Sequence, residues 1–555
     1  MFLIKNSSKS CLQKLFILNG MLLAILLSSC EKEELNDSAI EQRAEKKEIS
    51  IGAKVESPFL LRNMQRSVDS LSARSGLRSK IVLVPTHLYV RFLPADEFEY
   101  DRLVSDKSLD FDSYPLDREL TEGDSYHDPT LPADAITWQY TVVPTDYDFT
   151  KTGVRYEVLD ELYILDEDLD REDIAVGDVQ LRSGKSTTGL SWKSVVDEAL
   201  IQTGNLGATE LRSKWTPAAT IKAYDDRMGK YIPLQGVKVR IRYFAFLKAY
   251  HYTDANGNVT FSSKRTSVEY SIEWERDMWD IRDDGTQAYY NGPDQKSKWN
   301  LNINSGAPKS WYYSAIHRAL YKYYYGDCCG LVRPSKSLKI SFENRSDPDG
   351  TALGYTRSPN VRTWNWIFNA IKIYGKRKVK KNDQIIEVAE MVSDVFSTTL
   401  HELSHASHAC RMSRSGYDET SKFVKESWAV AAQWLLTMDE YRRLGLSSVN
   451  LSNLDTDLTC QWWPNYERTD LLIYSPIFID MVDTYNQYDL YAPINDNQIP
   501  FDEISGYSLP SICNALTSLK QLSDVESYMK NNRPSNVTLN QINTYLKLYK
   551  QKWTD

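Results

Sequence analysis

The sequence lacks an excess of basic charge. Its 66 lysine and arginine residues are outnumbered by 75 aspartate and glutamate residues, which gives a formal net charge of −9 at pH 7. Proteins that bind nucleic acid contact the phosphates with clusters of basic side chains. Because the overall balance is acidic, we expect no nucleic-acid partner. The hydrophobic content of 42% is ordinary for a globular protein, and the length suits about two to four domains.

Cysteine is scarce, and its spacing excludes one kind of metal site. None of the seven cysteines forms a C-x-x-C pair, so a zinc site built from thiolates is not expected. Cys11 lies in the N-terminal segment and Cys30 ends it, which leaves five of the seven. An odd number implies at least one free thiol or a bond to another molecule.

Long hydrophobic runs are absent except near the N-terminus. Three lysines precede the run LFILNGMLLAILLSSC, which is short for a membrane span and typical of a signal-peptide core. Its last residues, LSSC, resemble the lipobox of bacterial lipoproteins. The resemblance implies a signal peptide over residues 1–29 and lipidation of Cys30, which would anchor the protein without spanning the membrane. A plain signal peptide with an incidental cysteine is the alternative.

The segment after Cys30, EKEELNDS, is rich in charge. It resembles the short lysine-and-acid tag that directs some Gram-negative lipoproteins to the outer cell surface. We therefore expect an outer-membrane lipoprotein exposed on the cell surface, with the periplasmic face as the alternative. Residues 30–79 are polar and weakly patterned, which predicts a tether with a short helix near 60–73.

Two stretches carry strand signals. Short β-branched and aromatic runs, broken by proline, aspartate and glycine, predict a β-rich N-terminal domain over residues 80–190. Over residues 212–276 the pattern reads strand, hairpin, strand, with Asn256 and Gly257 as the positive-φ pair of a tight turn. This second stretch resembles a small immunoglobulin-like or prealbumin-like β-sandwich. Such modules often space or present a catalytic domain, and fold alone gives no activity.

Residues 290–555 mix helix and strand patterns and predict an α+β domain. SWYYSAIHRALYKYYYG has helical spacing, whereas SLKISFEN and WNWIFNAIKIYG are typical of strands. The segment IIEVAEMVSDVFSTTLHELSHASHACRM places its apolar residues in a three-and-four rhythm, which predicts one amphipathic or buried helix.

This helix carries three of the seven histidines, within TTLHELSHASHAC. His401 and His405 are four positions apart, so their rings project from one face of a helix and can reach one ion. Glu402 lies between them, where a carboxylate can activate water beside the ion. The pattern is H-E-x-x-H. A surface helix with two histidines and a solvated glutamate is the alternative.

A catalytic zinc needs a third protein ligand and an open position. The extended pattern H-E-x-x-H-x-x-G-x-x-H fails, since its last two named positions are His408 and Arg411 here. Glu426 lies near the start of a second helical pattern, and an antiparallel return would bring its carboxylate over the histidines. Glu419 is the nearest rival but lies in the intervening turn.

The histidine pattern, together with ESWA from Glu426 onward, resembles the gluzincin metallopeptidases of the thermolysin-like clan. The resemblance covers about residues 390–435. It implies that His401, His405 and Glu426 bind one zinc ion, that Glu402 is the general base, and that the C-terminal domain is zincin-like. An ordinary glutamate near a helix start is the alternative for Glu426.

The remaining candidates concern the surroundings of the ion. His408 lies about 10 Å along the helix from His401, so we expect it behind the ligands or in a core hydrogen bond. Related enzymes use a downstream tyrosine or histidine to stabilise the oxyanion. No histidine follows His408. Tyr474 is therefore the predicted catalytic tyrosine, with Tyr466 and Tyr417 as alternatives.

These predictions combine into a membrane-anchored zinc metallopeptidase that hydrolyses peptide bonds of extracellular proteins or peptides. Glu402 would activate the zinc-bound water, and SLKISFENRSDPDGTALGYTR could hold substrate as an added strand at a sheet edge. A surface binding or adhesion lipoprotein for protein or glycan, with the zincin-like domain as scaffold, is the alternative. Sugar binding by the many tyrosines and tryptophans is a third. Glu402 argues against a scaffold, because a non-catalytic site has no chemical need for that carboxylate.

Overall fold

The computed structural model describes most of the chain beyond residue 47. The described residues are 48–76, 81–165, 190–207, 213–283, 285–335, 337–346, 371–381, 384–458, 475–486, 488 and 500–552. They belong to the second of two compact units, which runs from Lys46 to Asp555. The predicted signal peptide over residues 1–29 and Cys30 lie outside the described residues.

The N-terminal elements are five short strands and three helices. They are β1 (Ile51–Lys54), α1 (Leu61–Ser75), β2 (His87–Leu93), α2 (Glu97–Val104), β3 (Arg118–Leu120), β4 (Gln139–Pro144), β5 (Arg155–Leu162) and α3 (Trp192–Gln202). β1 pairs antiparallel with β3, and β2 is the central strand of an antiparallel sheet with β4 and β5. Four strands, β2 to β5, and one helix, α2, therefore lie in the described part of the region predicted to be β-rich, residues 80–190.

The predicted tether is wrong over its described part, residues 48–76. The short helix expected near 60–73 is present as α1, but Met64 and Val68 on it are fully buried, as is Phe59 just before it. α1 packs against α3. A few apolar side chains on one face are enough to anchor an otherwise polar segment, since the polar residues cover its outer face.

Strands follow one another from residue 218 to residue 303. They are β6 (Ala218–Asp225), β7 (Lys230–Pro233), β8 (Lys238–Tyr243), β9 (Leu247–Tyr252), β10 (Asn258–Thr260), β11 (Val268–Glu273), β12 (Glu275–Arg276), β13 (Trp279–Asp283), β14 (Thr286–Gln287), β15 (Tyr289–Gln295) and β16 (Trp299–Ile303). One sheet has the order β10-β6-β16 with β7 beside β6, and a second has the order β15-β11-β8-β9. The boundary predicted at residue 276 cuts through both sheets, because β15 and β16 lie beyond it.

The tight turn of this region is not the predicted one. Asn256 does not have a positive φ, and the strands on either side of it, β9 and β10, pair with β8 and β6 in different sheets. The positive-φ pair is instead Phe244 and Ala245, in the hairpin that joins β8 to β9. Both side chains are buried, and the carbonyl of Phe244 accepts a hydrogen bond from Ser57 Oγ at 2.9 Å. Tertiary packing thus outweighs local turn preference.

The next elements lead from the sheets to the helices. They are α4 (Pro308–Tyr324), β17 (Leu338–Glu343), β18 (Ile371–Tyr374), β19 (Lys376–Lys381) and β20 (Gln384–Ala389). β17 is parallel to both of its neighbours, β13 and β18. It is therefore an interior strand, and the prediction that SLKISFENRSDPDGTALGYTR offers an open sheet edge to substrate is wrong for its described strand, β17. The glycine-containing continuation of that segment, residues 347–357, lies outside the described residues.

The C-terminal part is helical. Its helices are α5 (Val392–Cys410), α6 (Arg414–Glu419), α7 (Lys422–Arg443), α8 (Ser448–Leu458), α9 (Ile477–Asp480), α10 (Leu509–Ala515), α11 (Leu522–Asn531) and α12 (Leu539–Lys552). α5 packs against both α4 and α7, and it also contacts β18. The helix predicted from Ile385 starts only at Val392, because residues 384–389 pair with β19 as a strand.

The buried side chains join these regions. One cluster contains residues of α1, of both sheets between residues 218 and 303, and of α4, α5 and α7. The described core therefore runs from the sheets into the helical region without a break. Among the described residues, none of the helices is both long enough and apolar enough to cross a bilayer. The described cysteines, Cys328, Cys329, Cys410 and Cys513, are free thiols.

Candidate metal centre

A reversal of the chain brings two helices together at the histidines. α5 ends at Cys410, and the short helix α6 is capped by Ser413, whose hydroxyl accepts a hydrogen bond from the amide of Gly416 at 3.1 Å. Ser421 then caps α7 through the amide of Val424 at 3.3 Å. Hydroxyl caps satisfy amides that a helix start leaves without partners. Two capped starts close together fix the turn, and α7 returns along α5.

Three side chains from α5 and α7 converge on one point. His401 Nε2 and His405 Nε2 lie 3.1 Å apart, and Glu426 Oε2 lies 3.3 Å from the first and 3.1 Å from the second. His405 is 1% exposed and His401 is 8% exposed. These three residues, called the metal group below, could together hold a metal ion. Glu426 thus lies where the antiparallel return was predicted to bring it.

The spacing of the three atoms suits a small ion. In a tetrahedral site with bonds of about 2.0–2.1 Å, the ligand atoms are about 3.3–3.4 Å apart. The observed triangle comes within a few tenths of an ångström of this. Calcium, in contrast, takes about six to eight oxygen ligands at about 2.3–2.6 Å. Two imidazole nitrogens and one carboxylate oxygen fit a divalent transition-type ion better.

Burial and mutual contacts shift the pKa values of Glu426, His405 and His401. Burial tends to raise the pKa of Glu426, but the charge of His405 and hydrogen bonds with both histidines hold this pKa well below its usual range. Burial tends to lower the pKa of His405, yet the charge of Glu426 raises it above the ordinary value. For His401, burial prevails and the pKa is lowered. A buried anion between two imidazoles is stabilised by a proton or a metal ion.

Glu402 and the rival ligand Glu419 differ sharply in their surroundings. Glu402 follows His401 on α5 and is only 2% exposed. Glu419 is 62% exposed, and its carboxylate pairs with Lys520 Nζ at 2.6 Å. Glu419 is therefore not brought to the metal group, whereas Glu402 is buried and its charge helps to raise the pKa of His405.

The predicted surroundings of the ion are met in part. His408 is buried but is not a member of the metal group, as expected from its position along the helix. Burial lowers its pKa to about 3. The hydroxyl of Tyr417 lies 3.4 Å from Nδ1 of His405, on the far side of the ring from Glu426. Nδ1 of His405 points away from the other members of the metal group, because Nε2 faces Glu426. Tyr474 and Tyr466 lie outside the described residues.

Gln433 is a site residue that the sequence reasoning missed. Its Oε1 lies 3.2 Å from His401 Nδ1, the ring nitrogen that points away from Glu426. Gln433 lies seven positions after Glu426, which is about two turns of helix and hence the same face. Projecting α7 from its predicted ligand would have found it.

A second group of acidic side chains lies among the C-terminal helices. Carboxylate oxygens of Asp480, Asp483 and Asp502 lie within 4.8 Å of one another. Burial raises the pKa of Asp502 to about 9, with the charge of Asp480 adding to the effect, and burial raises that of Asp483 to about 7. At neutral pH the proton retained by Asp502 lowers the repulsion in this group.

The chain was compared with protein-family models, with curated proteins and with solved structures. None of them matches. The geometry of the metal group and the H-E-x-x-H pattern are therefore what bears on function.

Proposed function

We propose that the protein is a zinc-dependent metallopeptidase that hydrolyses peptide bonds of extracellular proteins or peptides. The observation that supports this most strongly is the triangle of His401, His405 and Glu426, with edges of 3.1–3.3 Å. The buried Glu402 beside it provides the carboxylate that this chemistry requires.

Zinc is the proposed ion because its preferred ligands and bond lengths match the group. Structural zinc sites have four protein ligands, whereas catalytic sites have three and keep a position open. Two histidines and one glutamate make three. When bound, zinc would polarise the carbonyl of the scissile bond and acidify a water molecule.

Glu402 is the proposed general base. Its carboxylate would accept the proton of the attacking water and then deliver it to the nitrogen of the leaving amine. Its burial favours this role, because the carboxylate is shielded from bulk water. His401, His405 and Glu426 would hold the ion and would take no part in proton transfer.

The gluzincin type, in which H-E-x-x-H is joined by a downstream glutamate, remains our proposal for the C-terminal region. We also propose that the protein is carried as a lipoprotein at the outer cell surface through Cys30. The support for this location is the N-terminal apolar run and its LSSC ending. Peptides outside the cell would then be the accessible substrates.

A pair of glutamate substitutions tests the activity. Full-length protein loaded with zinc would be assayed for cleavage of labelled casein. We expect Glu402→Gln to reduce turnover by at least about 100-fold while keeping its zinc, since general-base catalysis contributes about that much. Glu419→Gln is the matched control on an exposed glutamate, and it should retain both activity and zinc.

Two results would contradict the proposal. If zinc-loaded wild type cleaves no peptide bond, the chain is not a peptidase of this class. If Glu402→Gln cleaves as fast as the wild type, Glu402 is not the base. Retention on protein or glycan arrays that Glu402→Gln leaves unchanged would favour the binding or adhesion lipoprotein.

A further inference from the structure

Both histidine rings of the metal group have a polar contact at Nδ1, the nitrogen that points away from Glu426. Gln433 Oε1 lies 3.2 Å from Nδ1 of His401, and the Tyr417 hydroxyl lies 3.4 Å from Nδ1 of His405. In each ring it is the opposite nitrogen, Nε2, that faces Glu426. Gln433 and Tyr417 therefore contact the ring nitrogens that point away from Glu426.

The chemistry of imidazole explains why such contacts matter. A neutral histidine that gives the lone pair of Nε2 to a metal carries its proton on Nδ1. That N–H needs an acceptor when it is buried, and the acceptor selects the tautomer and fixes the ring plane. The amide oxygen of Gln433 and the hydroxyl oxygen of Tyr417 are both acceptors. Each is positioned to accept from one ring.

Tyr417 is itself held between two further side chains. The ring of His408 meets the ring of Tyr417 edge-on, with centroids 5.2 Å apart and an interplanar angle of 87°. Lys425 Nζ lies 4.7 Å from the centroid of the Tyr417 ring. Edge-to-face and cation–π contacts both favour a single ring position. The third histidine of TTLHELSHASHAC thus contacts the residue that contacts the second.

We propose that Gln433 and Tyr417 are positioning residues for the metal group, and that His408 acts on it through Tyr417. Gln433 would hold His401, and Tyr417 would hold His405, in the tautomer and orientation that bind metal through Nε2. This inference rests on the proposed function, since it concerns the same ion. It assigns a role to a third histidine that the catalytic chemistry does not use.

The test measures metal binding rather than activity. The full-length protein, stripped of metal, would be titrated with Zn²⁺ against a chelator and with Co²⁺ by visible absorption. We expect Gln433→Met and Tyr417→Phe each to weaken Zn²⁺ binding by about 10–100-fold and to shift the Co²⁺ spectrum. Gln433→Glu should bind within a few-fold of the wild type, because a carboxylate accepts the same hydrogen bond.

Two controls separate positioning from general damage to the fold. Tyr507→Phe removes another buried hydroxyl, which donates to the carbonyl of Met529 at 2.9 Å, and it should leave metal affinity unchanged. His408→Leu should weaken binding in the wild type but add little in the Tyr417→Phe background. Such non-additivity is what a contact acting through Tyr417 requires.

The outcomes distinguish this inference from the proposed function. If the wild type binds one metal ion and both Gln433→Met and Tyr417→Phe bind equally well, the positioning role is wrong while the peptidase proposal stands. If Gln433→Glu fails as badly as Gln433→Met, the contact is not a hydrogen bond to Nδ1. If the wild type binds no ion, both proposals fail.

Discussion

Asp226 caps the helix that carries the histidines, although the two lie 166 positions apart in sequence. Its Oδ2 accepts a hydrogen bond from the amide of Val392, at 2.8 Å, where α5 begins. The residue before the helix, Met391, provides no side-chain cap of its own. An acidic side chain at a helix start satisfies a free amide and complements the helix dipole. The turn after β6 thus fixes one end of the helix that carries His401 and His405.

We predict that removing this cap lowers both stability and metal affinity. Asp226→Ala should reduce the free energy of unfolding by about 1 kcal/mol, as typical for a helix cap, measured by urea denaturation. It should also weaken Zn²⁺ binding, because the start of α5 would fray. Asp96 caps a different helix, α2, through the amide of Glu99 at 2.8 Å. Asp96→Ala should lose similar stability and keep its Zn²⁺ affinity, and equal affinities in both variants would contradict the link.

The neighbouring residue Asp225, at the end of β6, contacts the two helices that pack against α5, which are α4 and α7. It is fully buried, and its Oδ2 accepts hydrogen bonds from Arg318 of α4 at 2.7 Å and from the Tyr441 hydroxyl of α7 at 2.9 Å. The charge of Asp225 helps to raise the pKa of Arg318 against the lowering effect of burial. The last residue of β6 and the first residue after it therefore contact α4, α5 and α7.

We predict a strong effect when this buried pair is broken. Asp225→Leu leaves the guanidinium of Arg318 without its main counter-charge and should cost about 3–5 kcal/mol in the free energy of unfolding. Replacing both partners, as Asp225→Leu with Arg318→Met, should cost less than Asp225→Leu alone, because no unpaired charge then remains. A double variant as unstable as the sum of the single variants would show that the pair does not interact.

The acidic group of α9 and its neighbours predicts how stability varies with pH. Asp483 and Asp502 have pKa values of about 7 and 9 in the fold, whereas unfolded aspartate titrates near about 4. The folded state thus binds more protons between about pH 4 and pH 9. The free energy of unfolding should therefore fall as pH rises through this window, by at most about 1.4 kcal/mol per pH unit for each group.

Asp502→Asn tests this pH dependence, since an amide cannot ionise. We expect urea denaturation between pH 5 and pH 9 to show a shallower decline for Asp502→Asn than for the wild type. The variant should be the more stable of the two at the alkaline end. Parallel curves for the two proteins would mean that Asp502 does not hold its proton in the fold.

The residues of the metal group could be predicted from the sequence better than the residues that hold them in place. His401, Glu402 and His405 follow from a local pattern, and Glu426 follows from a helix that had to return. Gln433 lies on that same returning helix, two turns after Glu426, so its position could also have been predicted. Asp226 was not, because neither its neighbours nor its spacing indicates a helix start 166 positions away.

The fold was predicted least well where tertiary contacts decide the local structure. Residues 384–389 have apolar spacing that suits a helix, yet they form β20 because β19 supplies a pairing partner. Asn256-Gly257 has the composition of a tight hairpin, but the tight hairpin lies at Phe244-Ala245, where burial compensates an unfavourable φ. Such preferences are weak compared with packing.

Metal content is the most direct test of the central claim that α5 and α7 bind one ion together. Full-length protein purified in the presence of zinc and freed of loosely bound metal would be analysed by mass spectrometry of the elements, beside Glu426→Ala and Glu419→Ala. We predict about one zinc ion per chain for the wild type and for Glu419→Ala, and a loss of most of it for Glu426→Ala, which lacks one of three ligands. A wild type without stoichiometric metal, or a Glu426→Ala variant that holds zinc as tightly as the wild type, would contradict it.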